Sequence, residues 1–321
     1  MQVLSSKLEW LIAGPARLPS GAYLSWHDGE GSGFPYPEAS AVAVRAALWW
    51  NRGLAPRLIP TVRYLEQSVG PDGLVCRGTT GYLFDSALVL AAMEDAADAG
   101  LVGPLVSMRS RVRAAVHRLA QSGQGCVRAT SDRWSTRFGP HLLKALALSV
   151  QRPAPDASAP VVPLPVSAAA MRLSGLQRDD GAFPPAVGAP AYLHAHCYAV
   201  EGLLMLAELG MAALRVPAER GVDFLAALQR SDGTLPQWEG AVTVTAADAT
   251  AQAGRLFLLD GRAGMRSRAE AALAGLAPLS TPAGSLRYTT ACDDENVWCT
   301  AFAFQLEAAL GGTPLTPLSL V

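Results

Sequence analysis

The residues best suited to chemistry in this sequence are polar side chains at the starts of otherwise apolar stretches. In chain order they are Glu38, Asp85, His141, the pair His194 and His196, Asp248, and the run Asp294-Glu295-Asn296. Carboxylates and imidazoles gathered in a concave apolar site form an acid/base constellation. Any one of them alone could be a helix cap or a partner of the helix dipole. Their recurrence at one end of successive helices argues instead for convergence on a single mouth.

The densest group is LHAHCYAVE. In a helix starting near residue 192, His194, Tyr198 and Glu201 lie at i, i+4 and i+7 on one face, and His196 points elsewhere. The intervening loops hold aromatic and basic side chains. Trp26, His27, Asp28, Glu30, Phe34 and Tyr36 crowd WHDGEGSGFPYPE, while Arg77, Tyr82, Arg133, Trp134, Arg137, Trp238, Arg287 and Tyr288 occupy later loops. Aromatic faces interspersed with guanidinium groups suit a sugar ring that carries acidic groups. Asp179-Asp180 fills a turn position in RDDG and is assigned to structure.

Twelve helices must position these groups. Segments at about 2–13, 54–69, 104–122, 166–177, 214–230 and 263–276 are apolar on one face only. Those at about 38–51, 82–99, 139–150, 192–209, 246–259 and 296–310 are apolar nearly all round, and such helices must be surrounded by protein. The alternation predicts an outer ring wrapped on an inner ring, an all-α, α6/α6 toroid formed by residues 1–321 as one domain. The end segments lack the polar caps that an open solenoid needs. After three outer helices the loops share the spacing Q-x-x-x-G-x-apolar: Gln121 to Val127, Gln177 to Phe183 and Gln229 to Leu235. Looser versions run from Gln67 to Leu74, at His27-Asp28-Gly29 and at Ala283-Gly284-Ser285-Leu286. The glutamine can bond free carbonyls at the helix end, and the glycine supplies a left-handed turn.

That spacing resembles the QW repeat of the terpenoid-cyclase and protein-prenyltransferase α/α-toroid superfamily, with Phe, Leu or Val where that group prefers Trp. The inner segments YPEAS, LFDSALVL, LHAHCYAVEGLL, DATAQAGRL and ENVWCTAFAFQL resemble squalene-cyclase-like toroid proteins found with polysaccharide-assembly genes. The resemblance spans the chain and implies a fold rather than a reaction. Neither the D-D-x-x-D of ionising terpene synthases nor the D-x-D-D of protonating cyclases is present, and only 7% of residues are aromatic, which counts against carbocation chemistry. Cys197 beside His196, and Cys299, resemble the zinc ligands of lanthionine-forming cyclases, but Thr300 follows Cys299 where a histidine would be needed. No metal and no cofactor is expected.

Half of the 321 residues are apolar, 17% are charged and the net charge is −1, so no basic field for nucleic acid exists. The five cysteines form no C-x-x-C pair. No apolar run approaches the ~20 residues of a membrane span. MQVLSSKLEWLIAG has neither the basic start nor the apolar run of a signal peptide, and a cytoplasmic protein is expected. The leading expectation is an enzyme acting on an acidic or glycan-linked sugar by hydrolysis, elimination or epimerisation. Asp85 or Asp248 would be the carboxylate and His194 or His196 the imidazole, supported by Tyr198 and Glu38. Trp26, His27, Tyr36, Arg77, Tyr82, Arg137, His141, Trp238, Asp294, Glu295 and Asn296 would bind substrate, with Arg77 and Arg137 orienting an anion. A prenyl-diphosphate enzyme of the same superfamily and a non-catalytic glycan- or protein-binding scaffold are the alternatives.

Overall fold

A computed structural model of the chain describes residues 5–28, 33–101, 106–129, 133–150 and 161–321. The expected helix starts at 2–4 and 104–105, together with Gly29 and Glu30, lie outside them. Twelve α-helices occur among the described residues and fall into six outer–inner pairs. These are α1 (Ser6–Ala13) with α2 (Pro37–Trp50), α3 (Ala55–Ser68) with α4 (Leu83–Asp98), and α5 (Val106–Ser122) with α6 (Leu142–Leu148). The others are α7 (Leu164–Ser174) with α8 (Leu193–Glu208), α9 (Arg215–Leu228) with α10 (Ala247–Asp260), and α11 (Met265–Gly275) with α12 (Val297–Leu310). Each inner helix packs on the next inner helix, and α12 packs on α2, so the inner ring closes. Outer α1 bridges α12 and α2 across the seam. The chain has the α/α-toroid fold.

Burial follows the ring geometry. An inner helix is flanked by two inner neighbours and by outer helices, and α8 is buried from Leu193 to Leu206 without a break. Outer α3 buries only one stripe, at Ala55, Leu58, Thr61, Val62 and Leu65.

The glutamine–glycine turns tie the two layers together. Gln177 Nε2 donates to Gly181 O in its own turn (2.9 Å) and to Pro217 O on the next outer helix (2.8 Å). Gln229 repeats this with Gly233 O (3.0 Å) and Arg268 O (2.9 Å). Gly181 (φ 92°) and Gly233 (φ 85°) take the left-handed region, and a Cβ on either would lie 2.2 Å or less from the carbonyl oxygen of Arg220 or Ala271. Gly284 presses in the same way on Ser6, carrying the repeat across the seam. Two expected repeats differ from this pattern. The first turn centres on Gly21, which meets Pro60, and not on His27-Asp28-Gly29. The turn at Gly125 packs against Arg137 in the loop before α6 and not against an outer helix.

Five short strands among the described residues join the loops. β1 (Trp26–His27) pairs with β5 (Glu295–Asn296), stitching the first loop to the last, and β2 (Val75–Arg77), β3 (Thr80–Tyr82) and β4 (Cys126–Val127) form a second small sheet. At the other end of the ring, the segment around Pro317–Ser319 closes the bore. Arg45 Nη1 donates to Leu320 O (2.8 Å), Gln305 Nε2 donates to Ser319 O (2.7 Å), and Lys144 donates to Val321 O. The loop end therefore remains as the mouth. No helix among the described residues is long and apolar enough to cross a membrane.

Candidate active site at the mouth of the ring

The register of the inner helices decides which side chains reach the mouth. Glu38, Phe84, His194, Asp248 and Trp298 are each the second residue of their helix, and all five line one cavity of about 440 Å³. Asp85, one residue further along α4, joins them, as does His141 just before α6. The loops contribute Trp26, Tyr36, Arg77, Arg133, Trp134, Tyr192, Tyr288, Asp294 and Asn296.

One wall is built around Asp85. Burial, reinforced by the nearby charge of Glu38 and opposed by Arg77, pushes the Asp85 carboxyl up to about 7. Arg77 Nε lies 3.2 Å from Asp85 Oδ2, yet neither atom finds an aligned hydrogen-bond partner. The guanidinium is held instead by the rings of Tyr82 (3.8 Å) and Tyr36 (4.7 Å). Glu38 Oε1 accepts from Trp298 Nε1 at 3.0 Å and from Tyr198 OH at 3.4 Å.

The other wall carries an imidazole and a carboxyl. α10 stands three places from α4 in the six-membered inner ring, which sets Asp248 across the mouth from Asp85. Asp248 Oδ2 is 3.2 Å from His194 Nδ1, and Asp248 Oδ1 accepts from Ala249 N at 2.6 Å. Burial raises the Asp248 pKa and His194 opposes that rise. His194 Nδ1 also meets Gln252 Oε1 at 2.8 Å. Between the walls, burial and the neighbouring His194 push His141 down to about 3, and its Nε2 has no hydrogen-bond partner. A neutral His141 ring in the cavity wall keeps one nitrogen able to accept a hydrogen bond.

His196 does not reach the cavity. It is fully buried, its Nδ1 accepts from Phe183 N (3.1 Å), and its Nε2 meets Gly221 O at 3.0 Å. It is the fourth residue of α8, the register that holds Ser40, Ser86, Thr250 and Thr300 in other inner helices. Those hydroxyls accept from Tyr23, Val75, Leu235 and Leu286 N–H groups, each two residues past a turn glycine. His196 therefore serves a repeated loop-to-helix tie, and burial lowers its pKa to about 4.

Several other expected residues sit beside the cavity or away from it. Tyr198 lies beneath it, with its ring 4.7 Å from Phe84 and 4.4 Å from His194. Tyr82 backs Arg77, and Trp238 stacks behind Tyr192 at 4.7 Å. His27 and Glu295 pair across β1–β5 at 3.8 Å, outside the lining. Arg137 is exposed and off the cavity wall, which Arg133 lines instead. Asn296 reaches the wall while capping α12, accepting from Cys299 N at 3.0 Å.

Sequence reasoning passed over Phe84, Tyr192 and Trp298 in the lining, though the shared second position of the helices marks Phe84 and Trp298. It also missed what lies below. Glu201 Oε2 meets Lys144 Nζ at 2.6 Å and Glu201 Oε1 meets Arg255 Nη2 at 2.6 Å, with all three residues fully buried in the bore. Among the described residues, no group of three or more His, Cys, Asp or Glu side chains is arranged to hold a metal ion.

No family model matches the chain, and no curated protein matches it. Solved structures of the same toroid class do. An unsaturated glucuronyl hydrolase from Bacillus sp. GL1, responsible for the degradation of glycosaminoglycan, matches with a TM-score of 0.69 and 12% identity, over 96% of this chain and 95% of that chain. A sugar epimerase from a ruminal bacterium matches with a TM-score of 0.67 and 10% identity, over 97% and 99%. A type II terpene cyclase from Scytonema matches with a TM-score of 0.62 and 16% identity, over 95% of each chain. At these identities the likeness establishes the fold.

Proposed function

We propose that the chain is an enzyme acting by acid/base chemistry on an acidic or glycan-linked sugar bound in the mouth of the ring. The observation that carries this reading is Asp85, a buried carboxyl with a pKa of about 7 on a cavity wall that faces His194 and Asp248. Near neutral pH such a group can both give and take a proton. Trp26, Tyr36, Trp134 and Tyr288 offer flat faces for sugar rings, and Arg77 and Arg133 offer cations for an acidic substituent. The glucuronyl hydrolase and sugar epimerase among the similar structures support the same substrate class. Hydrolysis, elimination and epimerisation all need this pairing of proton donor and acceptor.

A prenyl or terpenoid substrate is the second reading, favoured by one observation. The chain's few aromatic residues concentrate at the mouth, where seven line the cavity, so the low overall aromatic content does not exclude an apolar cation pocket. A thermal-shift screen against acidic oligosaccharides, sugar nucleotides and prenyl diphosphates separates the two, because selective binding stabilises the native state by about 2.7 kcal/mol at a hundredfold ligand excess over Kd. We expect a shift with an acidic sugar, kept in Asp85→Asn while turnover, followed by NMR of the sugar, is lost. A shift confined to prenyl diphosphate with magnesium would sink the proposal. A sugar shift without turnover by the native protein would make the chain a scaffold.

A further inference from the structure

We propose that Gln252 is a positioning residue that locks His194 as its Nδ1–H tautomer, leaving the Nε2 lone pair to face the mouth as a proton acceptor. The role this gives His194 rests on the acid/base reading above, whereas the lock rests on the hydrogen-bond chain alone.

The chain starts deep in the bore. Glu201 is gripped by Lys144 and Arg255, each at 2.6 Å, and a carboxylate held this way can only accept hydrogen bonds. Gln252 lies between Glu201 and His194. Its Nε2 is 3.3 Å from Glu201 Oε1, and its Oε1 is 2.8 Å from His194 Nδ1. An amide flipped the other way would press two oxygens together in a fully buried site, so the Glu201 charge fixes which end of Gln252 faces upward.

An amide oxygen 2.8 Å from Nδ1 requires that nitrogen to carry the hydrogen. Asp248 Oδ2, 3.2 Å from the same nitrogen, favours the same tautomer but makes no aligned hydrogen bond to it. A neutral imidazole has a single N–H, so the lone pair falls on Nε2. That nitrogen meets no hydrogen-bonding group among the described residues, and His194 lines the cavity. When Nε2 takes a proton from a bound hydroxyl, carbon acid or water, the new positive charge lies beside Asp248. The deep ionic cluster is thus connected to the mouth through one amide.

The test uses the full chain with 15N-labelled histidine and long-range 1H–15N correlation at a pH where His194 is neutral, with its signal assigned through His194→Gln. The expected native result is a single Nδ1–H tautomer. Gln252→Met, similar in volume but without polarity, should lose that single state. With a turned-over sugar in hand, Gln252→Met should lower kcat by about tenfold or more with KM little changed. A native Nε2–H tautomer overturns the proposal without any variant. So does an unchanged Nδ1–H state in Gln252→Met, which would assign the lock to Asp248. A displaced tautomer with unchanged kcat removes His194 as the acceptor. If the tautomers behave as expected and no substrate is turned over, the lock stands and the acid/base reading of the mouth falls.

Discussion

The ring holds two buried ionic clusters stacked along one axis, and they are finished to different degrees. In the bore, Glu201 receives Lys144, Arg255 and Gln252, and the two cations also reach Val321 O and Gln305. The exception is Arg255 Nε, which has no partner, although its guanidinium lies over the Phe302 ring at 4.3 Å. At the mouth, Asp85 Oδ2, Arg77 Nε and His141 Nε2 are all buried without a hydrogen-bond partner, and around them is a cavity large enough for a ligand. Burying a polar atom without a partner costs about 1–3 kcal/mol. The lower cluster spends its charges on holding α6, α8, α10 and α12 together. The upper one leaves donors and acceptors without protein partners in the wall of a cavity. Completeness of pairing, more than burial or charge, separates the bore cluster from the candidate site at the mouth.

The largest effect should come from breaking the complete cluster. Glu201→Ala removes the carboxylate that Lys144 and Arg255 share, leaving the two buried cations with only Val321 O and Gln305 Oε1 as hydrogen-bond acceptors among the described residues. Losing one partner of a buried pair costs about 3–5 kcal/mol. We expect a loss of that size in denaturant unfolding, or failure to fold. A change below about 1 kcal/mol would mean that the bore is wet and the comparison wrong.

Asp85→Asn tests the unfinished cluster and should behave in the opposite way. Turnover of the sugar should fall by roughly 10²–10⁴-fold, the usual worth of a positioned acid or base. Stability should hold or improve, because the substitution removes a carboxyl that is costly to ionise. Since the folded Asp85 pKa is about 7 against an unfolded value of 3.8, the folded state binds the extra proton between those limits. Asp85 should therefore subtract stability from the native protein as pH rises from about 4 through 7, so that Asp85→Asn gains on the native protein across that window. Thermal unfolding of both across that range checks the sign. If the variant were the less stable of the two above pH 7, Asp85 would be a structural ion-pair partner of Arg77.

The architecture was legible because ring burial writes itself into composition. An inner helix such as α12 is apolar on all sides, an outer one such as α3 on one side, and the six-fold alternation survives without any single strong motif. The mouth was legible in part. Glu38, Asp85, His141, His194 and Asp248 stand out as polar groups opening apolar helices, and all line the cavity. The aromatic lining did not, since Phe84 and Trp298 look like ordinary core residues until the inner helices are aligned on their first turns. The bore cluster was hidden for a related reason. Lys144, Glu201, Gln252 and Arg255 come from three helices distant in sequence, so Glu201 reads as a neighbour of His194 and Tyr198 and its partners do not stand out.

His196 shows what that alignment would have supplied, and it offers the finest test of the comparison. Read alone, it is a histidine two residues from a site histidine. Read in register with Ser40, Ser86, Thr250 and Thr300, it is the group that accepts a loop N–H. Two substitutions nearly equal in volume isolate that bond, because Thr can accept from Phe183 N and Val cannot. We expect both His196→Thr and His196→Val to lose stability through the emptied ring volume, with the valine variant worse by about 1 kcal/mol, the net worth of one buried hydrogen bond. Both should also flatten the acid side of the stability curve. The folded His196 pKa of about 4 against 6.5 unfolded means that its contribution is present above 6.5 and is lost as pH falls towards 4. Turnover per folded molecule should stay within about twofold of native in each, since both ring nitrogens of His196 are spent on backbone. Equal stability of the two variants would remove the shared register as the explanation. A selective collapse of turnover would return His196 to the mouth.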